Sequence, residues 1–209
     1  MKPLRFLLSL VLMSLTTMAF TQSETHKMEA TKTAAPRSDA QISFDTLKTL
    51  AGDWEGLVTT DMPEAMKKQM GADKAEMKPL HLSMRVTSRG NVLVHEFQEA
   101  GTPLDATKYD HPVTMFYIDA DKLNLVHYCD AGNRPHMTGK MSPDGKKVEF
   151  DFAELSGSNK HGHMYHAVFT IIDANHHTED WTFMLPGDKT VRGTLDLQRV
   201  PGGSTVSSR

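Results

Sequence analysis

The sequence predicts an all-β domain, an up-and-down antiparallel barrel of about ten strands with one or two short helices. Three observations lead there. From residue 80 onward apolar and polar residues alternate with period two, beginning with Leu80, Leu82, Met84 and Val86 against His81, Ser83, Arg85 and Thr87. Turn-forming "RGN", "DADK", "SPDGK", "ANHH" and "PGDK" punctuate the alternation, so successive strands pair as hairpins. Helical spacing is confined to two short stretches, and no repeat of solenoid or propeller length recurs.

In chain order, Phe44, Leu47 and Leu50 fall on one helical face, with Ser43 as a possible cap and Gly52 as the stop. The first strand is Asp53–Thr60. Met62, Met66 and Met70, spaced by four behind Asp61 and Pro63, predict a second short amphipathic helix ending near Gly71. Nine strands follow: 80–87, 92–97, 113–119, 123–129, 137–141, 147–152, 164–173, 178–185 and 191–200. So many short hairpin-linked strands must close on themselves or fold into a sandwich to protect their edges.

The ends of the chain speak to compartment. Lys2 and Arg5 precede an apolar run from Phe6 to Leu15, and the small pairs Thr17/Ala19 or Thr21/Ser23 fit a cleavage site. The expected organisation is a signal peptide over 1–23, a flexible lead-in over 24–41, the barrel over 42–200 and a flexible tail over 201–209. The apolar run is short for a membrane span and no cysteine lies near the cleavage region, so no stable membrane anchor is expected after cleavage. The expected location is periplasmic or extracellular. Cleavage leaves 21 basic against 26 acidic residues, formally −5, and no basic run, which speaks against nucleic acid as partner. One cysteine, Cys129, cannot form an internal disulfide, so packing and ladder hydrogen bonds must hold the fold.

The short helix, then "LAGDWEGL" with Gly52 and Trp54, and a last strand "GTLDLQRV" ending in Arg199 resemble the calycins, the superfamily of lipocalins, avidins and fatty-acid-binding proteins. That resemblance implies that Arg199 stacks on the Trp54 indole and donates to nearby carbonyls. A wider set of segments, "LAGDWEG", "LVHYCDAGNRPHM", "HMYHAVFTIIDANHHTEDWTF" and "LDLQRV", resembles an uncharacterised family of secreted bacterial calycin-like barrels, distantly similar to nitrobindin. His127, Tyr128, Cys129, Gly132, Asn133, Pro135, His163, Met164 and Trp181 fall on its His-Tyr-Cys…Gly-Asn-x-Pro pattern. The resemblance carries fold, and no established activity.

Parity selects the side chains that chemistry would need. Leu123, Leu125, His127 and Cys129 share one face of their strand, the one opposite Lys122 and Asn124, so His127 and Cys129 are expected inside and Tyr128 outside. His163, at the head of a later strand, and Trp181, in line with Glu179, Phe183 and Leu185, are expected inside as well. His127, Cys129, His163 and Trp181 are therefore the candidate ligand-binding residues. Each also has a plainer reading, as a hydrogen-bonded core histidine, a small buried hydrophobe or a core aromatic. His161, His163 and His127 together would make a zinc or copper set, although fixed ligand spacing is missing and His161 reads as loop. His176 and His177 read as a solvated turn. Met62, Met66 and Met70 read as a soft flap over the barrel mouth, or as a stripe packing a helix onto the sheet.

The functional expectation is an exported barrel holding an apolar or amphipathic small molecule. A haem- or metal-binding barrel is the alternative drawn from the nitrobindin likeness. A weak hydrolase or isomerase using His127 and Cys129 is a further one, which lacks a visible oxyanion site or orienting partner. The cofactor is left open, and a non-catalytic role is preferred.

Overall fold

The alternation does close. In the computed structural model, which describes residues 36–69, 79–105 and 107–201, ten strands form one closed antiparallel barrel in chain order. They are β1 (Gly52–Thr60), β2 (Leu80–Thr87), β3 (Val92–Glu99), β4 (Val113–Asp119), β5 (Lys122–Tyr128), β6 (Arg134–Met141), β7 (Lys147–Ser156), β8 (His163–Asp173), β9 (His176–Leu185) and β10 (Lys189–Arg199). Two α-helices accompany them, α1 (Asp39–Lys48) and α2 (Glu64–Gln69). The seam is the pairing of β1 with β10, in which Trp54 stands opposite Arg199. This is a calycin-like up-and-down barrel. The expected signal peptide, most of the expected lead-in, Met70 and Gly71 lie outside the described residues, as do the residues beyond Pro201.

The first helix starts earlier than its apolar spacing suggests. Ser38 caps it, its side chain accepting from the Gln41 N–H at 3.2 Å, and Asp39 in the first turn suits the positive end of the helix dipole. Ser43 is therefore not the cap. It is buried inside the helix and donates to the Asp39 carbonyl at 2.7 Å. The helix packs against β4, β5 and β6 and drives Phe44 and Leu47 into the core, so it plugs one end of the barrel.

Trp54 completes that plug. It is fully buried, and its indole N–H donates to the Leu50 carbonyl at 2.8 Å. The Arg199 guanidinium carbon lies 4.0 Å from the Trp54 ring centroid. Its three nitrogens donate to the carbonyls of Ala174, Ala51 and Thr49 at 2.8, 2.8 and 3.1 Å. Gly52 makes the approach possible, since a Cβ there would run into Nη1 of Arg199 and its φ of +140° is one that side chains resist. Above the plug, Leu93, Phe116, Leu125, Phe150, Phe169 and Leu195 fill the barrel with interlocking apolar groups.

Candidate functional site

Midway up the barrel, the apolar filling gives way to a belt of polar side chains. On β9 the inward row runs His177, Glu179, Trp181, and all three are buried. Glu179 is wholly enclosed. Its two oxygens receive His95 Nε2 at 3.2 and 2.9 Å, His177 Nε2 at 3.0 Å and the Trp181 indole N–H at 2.9 Å. His95 comes from β3, across the interior, where it sits among the rings of Phe97, Phe116, Phe169 and Trp181. Donation from Nε2 of both histidines leaves Nδ1 of each buried without a partner among the described residues.

Burial by itself would raise the Glu179 carboxyl. The facing His95 and the bonds from His177 and His95 outweigh burial and hold it well below the usual carboxylate range. The result is a carboxylate kept ionised inside a protein by three donors, an expensive device that a purely apolar core would not need.

His127 joins this belt from β5. It is fully buried, its Nδ1 lies 2.8 Å from the Thr114 hydroxyl, and its ring centroid is 5.5 Å from that of Trp181. Nε2 has no partner among the described residues. Burial, reinforced by nearby His95, pushes the His127 imidazole down to about 3, so it is neutral at ordinary pH.

The structure thus brings His127 and Trp181 together and places the other two candidates elsewhere. The strand ends at Tyr128, one residue short of the expected boundary, and Cys129 is half-buried in a cleft beside Tyr109, Asp110, His111 and Asp130. Burial and the neighbouring carboxylates of Asp110 and Asp130 push its thiol up, the opposite of an activated nucleophile. His163 is buried, but a bulge between Met164 and His166 changes the parity of β8. It pairs with Met184, out of phase with the inward row of β9, and rests instead on Phe152 at 4.6 Å with Nδ1 2.9 Å from Asn159 Oδ1. Burial lowers its imidazole too.

His177 corrects a further expectation. The turn is confined to Ala174 and Asn175, the strand resumes at His176, and His177 is fully buried, its ring centroid 4.2 Å from that of Trp54 in an edge-to-face contact. His95 was not singled out by the sequence at all. Its signal was position, an imidazole between the apolar Leu93 and Phe97 on the inward parity of a central strand.

At the barrel end away from α1 lies a cleft of about 470 Å³, lined by Met62, Met66, Asp130, Ala131, His161, Phe183, Leu185 and Val191. Phe183 and Leu185 continue the inward row of β9 above Trp181, so this mouth stands over the polar belt. His161 and His163 do not converge, the former being exposed and the latter covered. One group of His and carboxylate atoms within metal-binding reach occurs among the described residues, Glu149, Asp151 and His166 on β7 and β8. These side chains already pair with one another, and Lys140 also reaches Asp151.

No protein-family model matches the chain, and no curated protein does. Among solved structures, it is similar to Rv2717c from M. tuberculosis at 12% identity and a TM-score of 0.51, over 76% of this chain and 97% of that one. It also matches a protein of unknown function from the DUF3598 family of Nostoc punctiforme, at 12% identity and a TM-score of 0.44, over 80% of this chain and 53% of that one. The likeness to the M. tuberculosis protein is one of fold, and the ten-stranded barrel is what this chain shares with it.

Proposed function

We propose that this protein is an exported binding barrel that takes an apolar or amphipathic small molecule at its open mouth. The observation that carries the reading is the mouth cleft, whose Met62, Met66, Phe183, Leu185 and Val191 offer apolar wall while Asp130 and His161 offer polar contacts. A volume of about 470 Å³ falls in the range of small-molecule sites. Trp181, the next inward residue of β9 below Phe183, and His127 are buried in the belt around Glu179 and do not line the cleft. His163 and Cys129 do not line this cleft. Catalysis by His127 and Cys129 is the weaker reading, because the two side chains occupy different surroundings and the thiol is deactivated.

The test is purification from the native host under non-denaturing conditions, with native mass spectrometry and an absorption spectrum, beside titration with the fluorescent probe anilinonaphthalene sulfonate. The expected result is a retained organic mass, or saturable probe binding that Phe183→Ala together with Leu185→Ala abolishes while the fold persists. A Soret band would replace this reading with haem. Absence of both retained mass and saturable probe binding would overturn it.

A further inference from the structure

Two of the methionines stand at the barrel mouth. Met84 and Met137 belong to the core, and Met141 and Met164 pack against it. Met62 and Met66 do neither. They stand one helical turn apart, just before and within α2, with the Met66 N–H bonded to the Pro63 carbonyl at 2.9 Å, and both line the mouth cleft.

The same cleft receives His161. The loop that carries it is anchored rather than free. Gly162 adopts a φ of +86°, and its carbonyl accepts from Asn133 Nδ2 at 2.7 Å. His136, His166 and His176 are bonded to Asn124, Asp151 and Asp196. The exposed His161 imidazole, by contrast, is bonded to nothing among the described residues.

Two thioethers and an imidazole are neutral donors of a distinctive kind. Thioether sulfur binds hard cations such as Mg²⁺ or Ca²⁺ poorly and selects soft, low-charge ions, Cu(I) above all, while imidazole suits copper in general. A filled-shell Cu(I) ion has no strong geometric demand and is satisfied by two or three such donors. The surrounding Phe183, Leu185 and Val191 would exclude water from the ion, and low polarity favours the monovalent state.

We propose that the mouth cleft is a Cu(I) site whose donors are the thioethers of Met62 and Met66 and the imidazole of His161. It shares its cleft with the organic-ligand reading but rests on the sulfur and nitrogen donors of Met62, Met66 and His161.

The experiment is an anaerobic titration of the folded full-length protein with Cu(I) held as its coloured bicinchoninate complex. It is done in a Cys129→Ser background, so that the thiol cannot answer for the thioethers, with X-ray absorption at the copper edge. The expected result is withdrawal of one equivalent of copper with sulfur and imidazole scatterers. Met62→Leu with Met66→Leu, which keeps apolar volume, should lose this withdrawal, and His161→Ala should lose the imidazole scatterer and weaken competition. The two readings are read out separately, the organic ligand by retained mass and probe binding and this site by copper withdrawn and its scatterers, so failure of the organic-ligand reading shows on its own. Failure of the Cys129→Ser protein to withdraw copper, or undiminished withdrawal by the double leucine variant, would overturn the site.

Discussion

His95 Nε2 on β3 lies 2.9 Å from Glu179 Oε2 on β9, a contact between side chains 84 residues apart and wholly enclosed by the barrel. It ties opposite walls together through the interior. Its weight follows from asymmetry. A buried carboxylate with its donors complete is roughly neutral for stability, whereas removing one partner leaves the others uncompensated.

Replacing Glu179 with Leu should therefore cost on the order of 3–5 kcal/mol, because the N–H groups of His95, His177 and Trp181 are orphaned at once. Glu179→Gln keeps shape and an acceptor but brings its own N–H donors toward imidazoles already donating, and should fall between Leu and wild type. Chemical denaturation monitored by Trp fluorescence measures both. A Leu variant as stable as wild type would show that the belt is energetically idle.

The pH dependence has one sign from two sources. Glu179 titrates below its ordinary 4.5 in the folded state, so its contribution is present above that value and fades as pH falls through the folded one. His127, neutral in the fold down to about 3 against 6.5 in an open chain, favours unfolding wherever the unfolded chain takes a proton that the folded one refuses. Its penalty is absent above about pH 6.5 and grows as pH falls toward 3, reaching at most about 5 kcal/mol. Melting temperature should thus decline between pH 7 and pH 4, and His127→Leu should flatten that decline. An unchanged slope in the variant would assign the acid sensitivity elsewhere.

At the plugged end, Arg199→Ala should lower stability by about 1–3 kcal/mol, through lost stacking on Trp54 and three unpaired carbonyls. Arg199→Lys should recover little, because one ammonium cannot span Ala174, Ala51 and Thr49. Gly52→Ala should mimic the loss without touching the charge, by obstructing the guanidinium and straining a backbone with φ of +140°. Thermal melts of the three variants rank them, and wild-type stability in Gly52→Ala would refute the steric argument.

How far the sequence could be read depended on the range of the interaction concerned. Alternation is local, so the ten strands and their hairpin joins were visible, while the pairing of Trp54 and Arg199 was implied by the calycin resemblance of the first and last strands. Single-residue events were not. A strand that stops at Tyr128 moves Cys129 out of line, and a bulge before His166 takes His163 off the inward row. The turn before β9 is two residues shorter than "ANHH" suggested, which returns His177 to the interior. The belt itself was hidden for another reason. Glu179 and His95 are each ordinary in their own strands, and only closure of the barrel makes them partners.

The β1–β10 seam joins strands from the two extremes of the domain. A ribosome that has delivered nine strands has made a curved sheet with two raw margins, and the ring stays open until Arg199 has emerged. Loop-closure entropy is settled last and over the longest separation, so folding is late and cooperative by construction.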